Sequence, residues 1–261
     1  MKIKILGAGS AYCKHPLVTS SFLVQTETSN IVIGVGPNIP AKLSAIGLEI
    51  DDIDMWVPLH TRAEQSGGLE EVAATATKKP YVVAPNQVIS EISKILGTSF
   101  SSAYEKKVGL KSALKIHINE EHYSEILTFI PNHFKSQQSF SVLFETAQVM
   151  ISGDTALNED FIERHGMACE VILHTCVTDS KSSFEENAGL AELQTLPVYL
   201  QKRIWLYGYG NNYLNVEDPL PMLFIPQGHI VYDSQRKDPW IRKDKFIRDE
   251  GRRQLGNRSA S

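Results

Sequence analysis

The chain has no apolar run near 18 residues in its 261 positions, so no transmembrane helix is expected. Its start, "MKIKILGAGSAY", is broken by glycine too early for a secretory apolar region. Cysteine is scarce. Cys13, Cys169 and Cys176 form no C-x-x-C pair and no disulfide framework, which fits reduced thiols in the cytoplasm. No repeat of fixed period occurs, and "GAGSA" lacks the spacing of a dinucleotide-binding fingerprint, so its glycines read as a turn at a sheet edge.

What is present suits a globular protein, with 42% hydrophobic and 21% charged residues. The net charge of -4 conceals an asymmetry. Residues 234–261 carry nine Lys/Arg against four acids, a tail of +5 that leaves residues 1–233 at -9. Such a tail either stays solvated or docks on an acidic partner, a nucleic acid or its own body. The expected organisation is one domain over 1–233 followed by this tail.

Local patterns alternate between strand and helix. "KIKIL", the hairpin "SSFLVQTETSNIVIGV", "DIDMWVPL" and "PYVVAP" read as strands of the first half. "NIPAKLSAIGL" reads as a helix with Asn38 as N-cap and Gly47 as its stop. "GGLEEVAATATKK" and "NQVISEISKILG" are helical, and 99–118 is read as one helix with loop. In the second half "EILTFIPNHF", the hairpin "SFSVLFETAQVMISGD", "CEVILHTC", "RIWLYGYG", "MLFIP" and "HIVYD" are strands, with Gln227-Gly228 as a turn. "NEDFIERHGM" and "LAELQTLPVYLQK" are helices between them. Strands dominating both halves, with helices interspersed, predict an α+β fold: two sheets face to face with helices outside, a four-layer αββα sandwich.

The order of "ILGAGSA", "SSFLV", "GVGP", "GGLEE", "PNHF…FSVLFE", "ISGDT", "ILHTC", "ELQTLP" and "RIWLYGYGN" resembles the metallo-β-lactamase fold. Within it, the branch holding ribonuclease Z and the anti-Pycsar cyclic-nucleotide phosphodiesterases is the most similar. That resemblance implies a homodimer and a centre of two divalent ions. Its ligands come from an H-x-H-x-D-H loop, a later His, a bridging Asp and a final His.

Mapped residue by residue, the loop falls on "HTRAEQ". His60 keeps its identity. Arg62, Glu64 and Gln65 stand where His, Asp and His belong. His133 matches the later His and Asp154 the bridging acid; Gly208 replaces the final His and Gly34 an Asp. Asn187 and Gly189 stand where the phosphodiesterase branch places histidines. One ion would retain His60, His133 and Asp154, a set suited to Zn or Fe. The second keeps only carboxylates and a Gln. An Arg62 guanidinium about 4 Å from a divalent ion would repel it by roughly 8 kcal/mol at an effective dielectric near 20. Arg62 is instead expected in the vacated space, pairing with Asp154 and Glu64.

The resulting expectation is a catalytically degenerate protein that binds a nucleotide-like ligand or a protein partner without hydrolysis. No cofactor is expected. Arg62 and Lys135 would contact the ligand in a pocket of His60, Arg62, Glu64, Gln65, His133, Asp154, His174 and Gly208. The alternative is a residual one-metal phosphodiesterase holding Zn or Fe on His60, His133 and Asp154, with Glu64 and Asp154 as its catalytic groups. Trp205, Tyr207 and Tyr209 read as core, or else as a platform for stacking a base.

Overall fold

The computed structural model describes residues 1–78, 80–99, 115–117, 127–132, 139–178, 187–215 and 221–235. His133, Lys135 and the tail beyond 235 lie outside the described residues.

The amino-terminal residues form a meander of β1 (Lys2–Gly7), β2 (Ser21–Gln25) and β3 (Asn30–Ile33), antiparallel throughout. Alternation of apolar side chains drives it: Ile3, Ile5, Phe22, Val24, Ile31 and Ile33 point one way and are essentially inaccessible to water. Helix α1 (Ile39–Ser44) leads to β4 (Met55–Val57), which joins β3 in parallel. Two short helices, α2 (Ala63–Ser66) and α3 (Gly68–Thr75), precede β5 (Tyr81–Val83). Helix α4 (Asn86–Ser99) precedes β6 (Lys115–His117). The last strand, β13 (Ile230–Asp233), returns beside β1 and completes a seven-stranded sheet ordered β13-β1-β2-β3-β4-β5-β6.

The second sheet is a hairpin-built half, β7 (Thr128–Pro131), β8 (Phe140–Phe144) and β9 (Val149–Ile151), extended in parallel by β10 (Val171–Thr175), β11 (Ile204–Tyr207) and β12 (Leu223–Phe224). Its crossovers carry α5 (Glu159–Gly166), α6 (Leu190–Leu193) and α7 (Val198–Gln201).

Three cores follow from this. One lies between the sheets, joining Ile5, Phe22 and Val57 to Val142, Leu173 and Tyr207. A second packs α1, α3 and α4 on the outer face of the first sheet through Leu43, Trp56, Leu69 and Val88. A third packs α5, α6 and α7 on the second sheet through Ile162, Leu193, Leu200 and Leu206. The layers are therefore helix, sheet, sheet, helix, as the alternating pattern predicts.

Local structure refines three expectations. Of the stretch 99–118, expected to hold one helix and loop, the described part contains β6, whose three residues are too few for a period to show, and residues 100–114 lie outside the described residues. Asn38 occupies the N-cap of α1 but sits in the left-handed region (φ 63°) and makes no capping bond through its side chain. "LAELQTLPVYLQK" splits into α6 and α7, because Pro197 has no N–H to continue a helix and instead caps the second one.

The fold brings the carboxyl ends of several strands together at one rim. Gly208 N donates to Ala8 O at 2.8 Å and Ser10 N to Tyr209 O at 3.0 Å, so the "GAGSA" turn after β1 is tied to the end of β11 in the other sheet.

Candidate functional site

The loop after β4 is held from both sides. Phe140 N of the second sheet donates to Leu59 O at 3.1 Å, immediately before His60. Arg62 then adopts an extended N-cap conformation, and its carbonyl accepts from Gln65 N and Ser66 N, both at 2.9 Å. The Ser66 hydroxyl donates to Thr61 O at 2.9 Å, closing the turn. Helix α2 is pressed against the exit of β3, where Val35 N donates to Gln65 O and Gly68 N donates to Val35 O, each at 2.8 Å. This contact needs glycine: a Cβ on Gly36 would lie 2.3 Å from Glu64 O, and one on Gly68 would lie 2.2 Å from Gly36 O.

Asp154 leaves β9 through a turn built from short polar side chains. The Ser141 hydroxyl, directed at both Asn132 Oδ1 and Ser152 O, lies 2.7 Å from each. Asn132 Nδ2 also donates to Ser152 O. The Thr175 hydroxyl donates to Gly153 O at 3.2 Å, and Gly153 is in the left-handed region (φ 64°). The Asp154 side chain thus leaves a braced backbone and is only 13% exposed. Sequence reading missed Asn132, Ser141, Ser152 and Thr175. Their signal was the run of small polar residues at strand ends that are otherwise apolar.

His60, fully buried, meets Asp154 at 2.8 Å through Nε2. Its Nδ1 accepts from the Arg62 backbone N–H at 3.2 Å. A backbone N–H can only donate, so a neutral His60 carries its proton on Nε2 and donates it to Asp154. Asp154 therefore has His60 as its partner, aimed by the Arg62 amide; among the described residues no ion pair joins the Arg62 side chain to Asp154 or Glu64, where charge pairing was expected. Among the described residues no hydrogen bond or ion pair engages the Glu64 carboxylate.

A cavity of about 780 Å³ opens above these groups. Arg62, Glu64, Gln65, Asp154 and Gly208 all line it, as expected, with His60 directly behind. Asn187 lines it too, where the resemblance places a histidine; its other walls are the 9–12 turn, Val177, Thr178 and the 210–212 segment, which sequence reading did not assign to the pocket. His174 does not line it. Strand alternation places His174 with Ile172 on the outer face, where its Nδ1 donates to Thr175 O at 2.7 Å. Burial lowers its pKa to about 4 and keeps it neutral. Trp205, Tyr207 and Tyr209 are core: Tyr207 lies edge-on to Phe22 with ring centroids 5.0 Å apart, and all three are at most 4% exposed. Burial, and next the Asp154 carboxylate, push the Tyr207 phenol far above its usual range.

The donors can be tested against the two-ion centre. His60, Glu64 and Asp154 offer ligand atoms within 4.8 Å of one another, so one imidazole and two carboxylates could hold one ion. A second ion would face Gln65 and Gly208. Gly208 has φ 72° and brings no side chain, and a Cβ there would lie 3.3 Å from Thr175 Cγ2. Gln65 is 2% exposed, and its Oε1 has no hydrogen-bond partner. That oxygen lies 3.2 Å from where a Cβ on Gly34 would stand, so the glutamine crowds the space of the acid absent at 34. Among the described residues the donors make up one ligand set, His60, Glu64 and Asp154, and not a second.

Comparison with known proteins gives a consistent picture. The sequence profile of the family described as "Anti-Pycsar protein Apyc1" matches residues 1–231. An anti-Pycsar protein Apyc1 of Paenibacillus harenae is 26% identical over 224 residues, covering 81% of this chain and 90% of the relative. One from Bacillus phage BSP38 is 25% identical with the same coverage. Among solved structures, a diphosphatase of the PhnP family superimposes with a TM-score of 0.67 at 13% identity, covering 89% of this chain and 97% of that one. Human tRNase Z, short form, does so with a TM-score of 0.61 at 14% identity, covering 88% and 98%. These superpositions establish the metallo-β-lactamase fold.

Proposed function

The chain belongs to the anti-Pycsar protein Apyc1 family, and from that premise we propose that it holds a nucleotide-like ligand in its cavity without two-ion hydrolysis. The observation that carries this reading is the wall made by Gln65 and Gly208. Where the mechanism needs donors for a second cation, one position presents an amide and the other presents no side chain. Two bridged ions supply the activated water and the charge that holds a phosphodiester during hydrolysis. Here Arg62 supplies one fixed positive charge at the same cavity, suited to orienting a phosphate rather than to generating hydroxide. Resemblance to cyclic-nucleotide phosphodiesterases supports a cyclic nucleotide as ligand, and a cavity of about 780 Å³ has room for one.

A second reading, a one-ion phosphodiesterase, is favoured by the proximity of His60, Glu64 and Asp154. These three residues would hold the ion, which when bound would supply a Lewis acid. Metal analysis combined with a ring-opening assay on 3′,5′-cyclic mononucleotides separates the readings. Binding without ring opening, in EDTA and in added Zn²⁺ or Mn²⁺, is expected. One bound ion with turnover that Asp154→Asn abolishes would establish the second reading, and two ions per chain would overturn both.

A homodimer, a cytoplasmic location and an acidic partner for the basic tail belong to the same proposal. Two observations support the location. No described helix is long and apolar enough to cross a membrane, and all three cysteines are free. Light scattering with and without residues 236–261 tests the oligomer and the tail's part in it.

A further inference from the structure

Four side-chain amides line the cavity, and they divide into two kinds. Asn211 is committed to structure: its Oδ1 accepts from Lys14 N at 2.6 Å and its Nδ2 donates to Lys14 O at 2.7 Å. Asn212 is committed likewise, accepting from the Thr178 hydroxyl at 2.7 Å. Gln65 and Asn187 are not committed. The carbonyl oxygen of each is shut away from solvent with no partner, and neither amide nitrogen donates to any of the described residues. Gln65 lines the cavity from the first sheet's side and Asn187 from the second's, and with both carbonyl oxygens buried it is their N–H groups that are left to donate to a ligand. They add hydrogen-bonding capacity and no charge.

The charged side chains in the same wall, among the described residues, are Arg62, Glu64 and Asp154. Together they sum to one negative charge. A single guanidinium and two neutral amides can satisfy the oxygens of one singly charged phosphoryl group. A second negative charge on the ligand has no counterpart among the described residues and faces two carboxylates in a partly enclosed site.

Resting on the reading above, that a nucleotide is held without a pair of ions, we propose that the cavity selects by charge. It takes the singly charged cyclic phosphodiester and rejects the doubly charged phosphomonoester that ring opening would give. A pair of bound cations would offset both charges; among the described residues the wall carries only Arg62. The consequence suits a sequestering protein, because linear mononucleotides would not compete for the cavity. At an effective dielectric near 20 and separations of several Å, the unbalanced charge should weaken the monoester by about tenfold or more.

The test is calorimetric titration of the full chain in EDTA with each of the four 3′,5′-cyclic mononucleotides and its 5′-monophosphate. At pH 7.5 at least one cyclic form should bind, and its monophosphate should bind about tenfold more weakly or worse. The second ionisation of a phosphomonoester lies near pH 6, so the gap should close at about pH 5. Glu64→Gln should narrow it at pH 7.5 by strengthening the monoester, and Asn187→Asp should weaken both ligands. A monoester that binds as tightly as the diester at pH 7.5, or a gap that does not change with pH, overturns charge selection while leaving nucleotide binding intact. Failure of all eight ligands to bind overturns the reading beneath it.

Discussion

His60 and Asp154 come from loops 94 residues apart and meet at 2.8 Å, with the imidazole proton directed at the carboxylate. The relationship depends on the Arg62 backbone amide, which occupies Nδ1 and so dictates which nitrogen faces Asp154. The two sheets are thereby joined through their functional loops as well as through their apolar core.

Removing the imidazole should therefore cost more than removing the charge it serves. His60→Ala leaves a nearly buried carboxylate without its donor, and a loss of about 1–3 kcal/mol is expected. Asp154→Asn retains an acceptor oxygen for Nε2–H, and a loss of about 1 kcal/mol or less is expected. Urea denaturation of the two variants checks the order. Equal losses would mean that the pair contributes only packing.

The junction between α2 and the exit of β3 should be intolerant of a single methyl group. Gly68→Ala would place Cβ 2.2 Å from Gly36 O, a backbone atom that cannot move aside alone. Destabilisation of about 2 kcal/mol or more is expected, against less than about 0.5 kcal/mol for a surface substitution. Gly47→Ala, where a Cβ meets nothing within 4 Å but φ is 76°, isolates conformational strain from collision. It should cost about 1–2 kcal/mol.

His174 should make the fold acid-sensitive. Its folded pKa is near 4 and its unfolded value near 6.5, so below pH 6.5 the unfolded chain takes up a proton that the folded chain refuses. The contribution is full above pH 6.5 and is lost as the pH falls towards 4. It amounts to about 3 kcal/mol for this completely buried ring. Denaturation midpoints measured from pH 7 to 4.5 should fall for the parent and fall less for His174→Phe. Parallel pH profiles would show that other groups carry the acid sensitivity.

The architecture was legible because periodicity reports burial. Ile3, Ile5, Phe22 and Val24 alternate along their strands, and Val88 and Ile92 recur at helical spacing, and each element formed where its pattern lay. The site was legible in composition more than in contacts. "HTRAEQ", Asp154 and Gly208 do converge on one cavity, but nothing in the sequence distinguishes an Arg62 side chain pairing with Asp154 from an Arg62 amide that orients His60. That distinction rests on the loop's backbone direction. His174 was misplaced for a similar reason: a strand end near the site does not reveal which face it presents until its neighbours Ile172 and Cys176 are seen against the helices. The unspent amides of Gln65 and Asn187 were equally hidden, since only packing shows which polar groups lack partners.

Restoring the missing donors should restore ion binding in a definite order. Arg62→His removes the fixed charge and adds an imidazole beside His60, Glu64 and Asp154. It should raise uptake of Zn²⁺ to about one ion per chain, because a neutral donor replaces a fixed positive charge at the cavity. Gln65→His alone should add nothing, since Arg62 remains and the new imidazole would crowd the space next to Gly34. Gly208→His alone should destabilise the protein, because φ 72° strains any side chain there by about 1–2 kcal/mol. Only the three changes together offer donors on both sides of Asp154, and only that variant should approach two ions per chain. Metal content after gel filtration reads the series directly, and thermal denaturation with and without EDTA shows whether each ion is bound by the folded state. A parent chain that already carries two ions would remove the reason for every step in the series.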